Sequence, residues 1–493
     1  MVKRLLSALS VILLCVLVNA QVTTEPAFIT KGYKGEIIVT FNPAEGNGGM
    51  KGATACYAHT GLITSESKSG SDWKYATPEW RDGSDKYKMT KNGDVWTLTI
   101  PNIYEYYGCP ESEEILKMAF VFNNGPQSNS KNEKEGKNAD GSDIFVDLVE
   151  AGLNIKFENP ENNQLINVGT TTDFRISASE NSIISLFINE EEIKTETGTE
   201  LNVSHTFTTT GDFTCVAKAE KNDTINYDTV FVCVASTPEH ATRPEGLQDG
   251  ITYYEDDATK VTLSLYSKNN SNQISQNVFV IGDFNNWSYS TEYQMKKDGE
   301  TGYFWIDITG LEPGKEYVFQ YAIKRPDGSM VQISDAYTHK TVDPNDHYIS
   351  KDIYPNQLAY PTEADGPCAV IQTARKDFEW SDATLNFKRP NKNNLVIYEM
   401  WVYDFSPLRS FDAITKRLDY IENLGVNAIE FMPISEFEGN ISWGYNPTHY
   451  FALDKAYGSP ESFKTLVDEC HKRGIAVIVD MVFNHATGWA AQN

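Results

Sequence analysis

Positive charge is scarce in this chain. Its 493 residues carry 42 Lys and Arg against 68 Asp and Glu, a formal charge of −26. That balance argues against nucleic acid and anionic membrane as partners. Cysteine is scarce too, and none of the seven cysteines forms a C-x-x-C pair, so nothing supports a structural zinc site. No long apolar run follows the first twenty residues, so no membrane span is expected. Aromatics, at 12%, are abundant. They suit stacking on a neutral ligand such as a sugar, although all-β modules are aromatic-rich in any case.

The length implies several domains, because single cores stop growing beyond about 250–300 residues. Residues 1–20 read as a secretory signal: Lys3 and Arg4, an apolar stretch from Leu5 to Val18, and a small-residue site at Val18-Asn19-Ala20. The expected location is therefore secreted, periplasmic or at the cell surface. Residues 21–150 read as an all-β module, with strand-like runs at Glu36 to Phe41, Val95 to Ile100 and Leu116 to Phe122. Between them lie Tyr57, His59, Trp73 and Trp80 in polar, glycine-rich surroundings. Trp73 and Trp80 are candidates for a sugar-stacking surface or for packing, and His59 for a hydrogen bond in a loop.

Residues 151–237 alternate apolar and polar positions in short runs, as in an immunoglobulin-like sandwich. Cys215 and Cys233 lie on two such runs, equidistant from Thr224. A disulfide across a hairpin is expected there, the alternative being two small apolar residues. Residues 238–350 form a third β-sandwich carrying Gly282-Asp283-Phe284-Asn285-Asn286-Trp287, and 351–394 a proline-rich connector.

From 395 to 493 the period changes. Tyr398 to Val402 is strand-like, Phe411 to Asn423 a helix, and Ala428 to Pro433 a second strand. Ser459 is a plausible N-cap with Pro460 at the first helical position. Phe463, Leu466, Val467 and Cys470 recur at helical spacing, and Gly474 closes the helix. Ile475 to Val479 then reads as a strand buried on both faces. Asp480, Asn484 and His485 stand where it ends, which in a β/α barrel is the face that carries the site.

Three motifs in order, Trp443-Gly444-Tyr445-Asn446-Pro447, Tyr457-Gly458-Ser459-Pro460 and Asp480-x-x-x-Asn484-His485, resemble the alpha-amylase family of glycoside hydrolases. The Gly-Asp-Phe-Asn-x-Trp stretch resembles the sandwich that precedes the barrel in debranching and branching members. More loosely, the first module is similar to starch-binding sandwiches. The resemblance implies a multi-domain chain of three N-terminal β-sandwich modules followed by an incomplete (β/α)8 barrel. It implies action on alpha-glucans by retaining hydrolysis, which needs two carboxyl groups about 5–5.5 Å apart.

In the family those carboxylates follow barrel strands four and five, so they are expected beyond Asn493 and the chain as given is expected to be inactive. Glu399, Glu430, Glu436 and Glu438 have no partner whose spacing argues for such a pair. By the same resemblance Tyr445 stacks on the sugar ring, His485 bonds its hydroxyls, Asp480 orients that cluster, and Asn484 matches a calcium-binding position. Trp443 is a pocket wall or a loop-packing residue, and Trp287 a candidate glucan contact. The alternatives are a non-catalytic starch-binding protein and a debranching or branching enzyme of the same family.

Overall fold

The computed structural model describes residues 21–488 apart from 71, 128–129, 139–140, 300 and 362. The expected secretory signal lies outside the described residues. The chain divides into two compact units. One runs to Gln164 and takes in Gly169–Thr208 and Phe213–Val232, and the other comprises Leu165–Val168, Thr209–Asp212 and everything from Cys233. Among the described residues no helix is long and apolar enough to cross a membrane.

In the first unit, alternation of side chains builds a sandwich. Ile37–Phe41 and Val95–Ile100 pair antiparallel, and Ile37, Val39, Phe41, Trp96, Leu98 and Ile100 are all buried, as the two-residue period of a strand requires. The other sheet runs Ile29–Thr30, Ile144–Val149, Ile115–Asn123, Tyr57–Thr64, and Phe122 stacks on Phe41 at 4.0 Å. Strand Tyr57–Thr64 falls where the sequence reads as loop. Its Gly61 admits a neighbouring segment so closely that a Cβ would lie 3.1 Å from Ala76.

The following strands form one hydrogen-bonded network, not the two separate sheets of an immunoglobulin-like sandwich. The 18-residue strand Thr171–Ile188 pairs with Ile155–Asn159 through its first half and with Gly211–Lys221 through its second. Its register against Glu191–Thr206 shifts between Ser177 and Ser182. The expected disulfide is absent: Cys215 and Cys233 are free, buried thiols. The hairpin turns at Asn222–Asp223, with Asn222 at a φ of 53°. That is before the Thr224 centre that the pairing needs.

In the second unit, two antiparallel sheets enclose Val278, Val280, Phe304, Ile306, Phe319 and Tyr321. This sandwich takes its last strand, Cys368–Gln372, from the stretch expected to be connector, and that strand pairs with Glu316–Lys324. Trp287, a candidate glucan contact, is instead core. It is 5% exposed, packs with Phe279, Ile281 and Cys368, and its indole N–H donates to Asp283 at 3.0 Å. A left-handed backbone at Asn286 and Trp287 (φ 52° and 58°) precedes the buried ring.

The barrel-like segment has three parallel strands in the order Ile397–Met400, Ala428–Phe431, Ala476–Val479. Ser459 caps helix Pro460–Lys472 by accepting from the Ser462 N–H, and Gly474 leaves it at a φ of 71°. Leu466 and Cys470 pack against Phe411, Leu418, Ile429 and Phe431. The expected helix from Phe411 to Asn423 is two short ones, Phe411–Thr415 and Leu418–Asn423, broken at Arg417 (φ −118°, ψ 11°). Ala476–Val479 is half-buried on every residue, not buried on both faces. Among the described residues it has a neighbour on one edge only.

His449 is fully buried, and its ring bonds Ser334 of the preceding sandwich. Burial first, and then the Lys455 charge, push its pKa from 6.5 down to about 3. The unfolded chain therefore takes up a proton near pH 6.5 that the folded chain refuses. His449 contributes stability above pH 6.5, and that stability drains away as pH falls toward 3, at about 1.4 kcal/mol per pH unit. Urea unfolding between pH 7 and pH 4 checks this, since His449→Gln is expected to have the shallower acid slope.

Candidate functional site

The parallel strands bring the motif residues to their C-terminal ends. The Asp480 N–H donates to the Phe431 carbonyl at 2.9 Å, which fixes the chain just past the third strand. The Tyr445 hydroxyl donates to Asp480 Oδ2 at 2.8 Å while its side chain stays 39% exposed. That bond chiefly, then burial and the charges of Asp480, Glu399 and Glu430, push the Tyr445 pKa up to about 12, so the phenol stays a neutral donor.

Glu399 and Glu430 stand at the same register on neighbouring strands, a proximity that spacing along the sequence conceals. Trp443 is 62% exposed and meets Trp401 edge-on at 6.4 Å. It is a surface ring beside Tyr445, anchored on one edge.

His485 and Asn484 are exposed on the same loop. His485 has a φ of 62°, and its backbone N–H donates to Asn484 Oδ1 at 2.8 Å. The structure thus joins Tyr445 to Asp480, but no bond ties the His485 ring to either. The calcium expectation rests on Asn484 alone. The Asn484 oxygen is engaged, and no group of three His, Cys, Asp or Glu among the described residues is placed to hold a metal, whereas calcium takes six to eight oxygens.

Gly444 makes the approach of Tyr445 possible. Its φ is 87°, and a Cβ would lie 2.3 Å from the Pro433 carbonyl oxygen. Gly444→Ala is expected to lower stability by about 1–2 kcal/mol from the left-handed backbone alone, with the clash adding to it. An unchanged urea midpoint would mean that the loop relaxes freely.

The first sandwich carries a second group. Segment 72–77 lies along strand Tyr57–Thr64 through paired backbone bonds between Leu62 and Lys74 (2.9 and 2.7 Å) and from Thr77 to Thr60 (2.9 Å). That pairing brings Trp73 against His59, ring centroids 5.7 Å apart with the planes inclined by 29°. Trp80 meets the same imidazole edge-on at 4.7 Å and is 47% exposed. Phe145 abuts Trp73 at 6.3 Å, and the Arg81 guanidinium lies 5.8 Å from the Trp80 ring. Burial lowers the His59 pKa. His59 thus contacts both indoles from strand Tyr57–Thr64 and is not a loop residue.

Two family models match this chain. "Alpha amylase, catalytic domain" covers residues 385–491, and "Carbohydrate-binding module 48 (Isoamylase N-terminal domain)" covers 250–338. Residues 385–491 are thus similar to the alpha-amylase family. Among curated relatives, a malto-oligosyltrehalose trehalohydrolase of Saccharolobus solfataricus is 34% identical over 193 residues, 39% of this chain and 29% of the relative. A 1,4-alpha-glucan branching enzyme of Clostridium perfringens is 31% identical over 218 residues, 42% of this chain and 30% of that one. The chain thus spans less than a third of the length of these relatives. A solved pullulanase of Paenibacillus barengoltzii, complexed with maltotetraose, is 19% identical with a TM-score of 0.36, over 49% of this chain and 39% of that one.

Proposed function

We propose that this chain serves alpha-glucan breakdown, holding the polysaccharide on Trp73 and Trp80 and presenting Tyr445, Asp480 and His485 to the sugar ring next to the scissile bond. The observation that carries the reading is the exposed Tyr445 ring locked by its bond to Asp480 at the strand ends (2.8 Å). A flat aromatic face and a fixed carboxylate at one spot suit a sugar ring and the positive charge it develops in an oxocarbenium-like transition state. The relatives' names, a 1,4-alpha-glucan branching enzyme and a malto-oligosyltrehalose trehalohydrolase, support an alpha-glucan substrate.

The chemistry on this reading is hydrolysis with retention. Its nucleophile and acid/base are assigned to no described residue. We read residues 1–20 as a secretory signal and the working location as outside the cytoplasm. N-terminal sequencing of the exported protein, beginning at Gln21, would support that.

A second reading, a glucan-binding protein without catalysis, is favoured by one observation. The Trp73, His59 and Trp80 group is complete within a single sandwich. Electrophoresis of the full chain through starch-containing native gels, followed by reducing-sugar and branch analysis, separates the readings. Retardation with sugar release supports hydrolysis, retardation alone the binding protein, and new α-1,6 branches a transferase. Free migration without release overturns all three.

A further inference from the structure

Tyr445 sits near the tip of a hairpin, and a loop tip is ordinarily the least ordered part of a fold. The hairpin strands are Ser435–Phe437 and Pro447–Leu453, and residues 438–446 join them. A ring that must meet a sugar needs its place held to about 0.5 Å. One phenol bond to Asp480 does not hold nine backbone positions, so the restraint must come from elsewhere.

It comes from two directions within the second unit. On the barrel side, the Trp401 indole N–H and the Tyr457 hydroxyl both donate to the Ser442 carbonyl, at 2.9 and 3.2 Å. On the sandwich side, the Asn440 amide donates to the Asn345 carbonyl at 2.7 Å. Asn345 lies in the turn that follows the sandwich strand Thr341–Val342. Asp343 closes that turn, because its Oδ1 accepts from the Asn345 backbone N–H at 2.8 Å and from the Asn345 side chain at 3.0 Å.

Other sandwich contacts hold only the hairpin strands. The Tyr337 ring stacks on Phe451 at 5.7 Å, and Ser334 bonds the His449 ring. Asn440 differs in kind: it belongs to the loop itself, five residues from Tyr445. We propose that Asn440 and the Asp343–Asn345 turn are positioning residues, which set where the Tyr445 ring meets the sugar. The sandwich would then act on the substrate without touching it. This rests on the reading of Tyr445 as the sugar-stacking residue.

The test places one 3-fluorotyrosine at position 445 of the full chain, in a Trp73→Ala/Trp80→Ala background, and records its fluorine resonance and its affinity for maltotetraose. Asn440→Asp keeps the shape but loses the donor, and Asp343→Ala opens the turn from the other side. Each is expected to shift or split the resonance and to weaken maltotetraose about tenfold. Asn440→Gln and Asp343→Asn, which keep the donor and the acceptor, are expected to restore both. The two routes alter opposite sides of the contact, so a folding defect in one, read from its melt, leaves the other decisive. An unmoved resonance in the folded variants overturns the proposal, as does a moved resonance with unchanged affinity. If the background chain itself does not bind maltotetraose, the sugar-stacking reading of Tyr445 fails, whatever the resonance shows.

Discussion

Replacing Lys455 by methionine is expected to destabilise the second unit by about 3–5 kcal/mol, the usual cost of stranding buried charge. Lys455 is 4% exposed. Its ammonium donates to Glu436 and to Thr341 Oγ1 at 2.8 Å, and lies 3.4 Å from Asp346. Burial alone would lower its pKa. The charges of Glu436, Asp346 and Asp454 outweigh burial and push the pKa up, so the ammonium stays charged.

The carboxylates are less comfortable. Burial raises Glu436 to about 7 and raises Asp454 as well, and Glu436 Oε2 has no hydrogen-bond partner among the described residues. One cation therefore holds together an acid-rich interior contributed by the sandwich (Thr341, Asp346) and the barrel segment (Glu436, Asp454). Without it those carboxylates must bind protons or take in water. Urea unfolding at pH 7.5 is the measurement. Adding Glu436→Gln to Lys455→Met is expected to recover part of the loss by removing one stranded charge. A single variant within 0.5 kcal/mol of the original, on the order of an ordinary surface substitution, would show that the contact is already wet.

This network also marks where sequence reading fails. Lys455 and Thr341 are 114 residues apart, and no local pattern announces such a meeting. What was legible was local. The Ser459-Pro460 cap, the apolar positions of the helix behind it and the strand ending at Val479 follow from periodicity and backbone chemistry alone. The Tyr445–Asp480 bond was legible only as a resemblance of motifs, because 35 residues separate the partners.

Ring direction was not legible. Trp287 and Trp80 both sit in polar, turn-rich surroundings. Only the left-handed backbone at Asn286–Trp287 and the bond to Asp283 distinguish a core indole from an exposed one. Register was not legible either. Placing the hairpin centre at Thr224 instead of Asn222–Asp223 was enough to create a disulfide that the structure does not contain.

Alanine at both Trp73 and Trp80 is expected to weaken retention on starch sharply while leaving the fold intact. Neither ring belongs to the buried core of the first sandwich, which is closed by Phe41, Trp96, Phe120, Phe122 and their neighbours. Both indoles lean on a single imidazole, so their positions are set before a ligand arrives and little entropy is lost on binding. Aromatic anchors of this kind cost about 2 kcal/mol or more each when truncated. Losing two would weaken binding by roughly three orders of magnitude if the effects add.

They need not add, because the rings share His59, and the single variants test that coupling. If His59 is a positioning residue, His59→Ala should weaken glucan binding although it leaves both indoles in place. His59→Gln, which keeps bulk but not a flat ring, should rescue little. Retention of the double variant at the original affinity, with an unchanged melt, would remove the first sandwich from the glucan-binding surface and leave the Tyr445–Asp480 site to account for any binding.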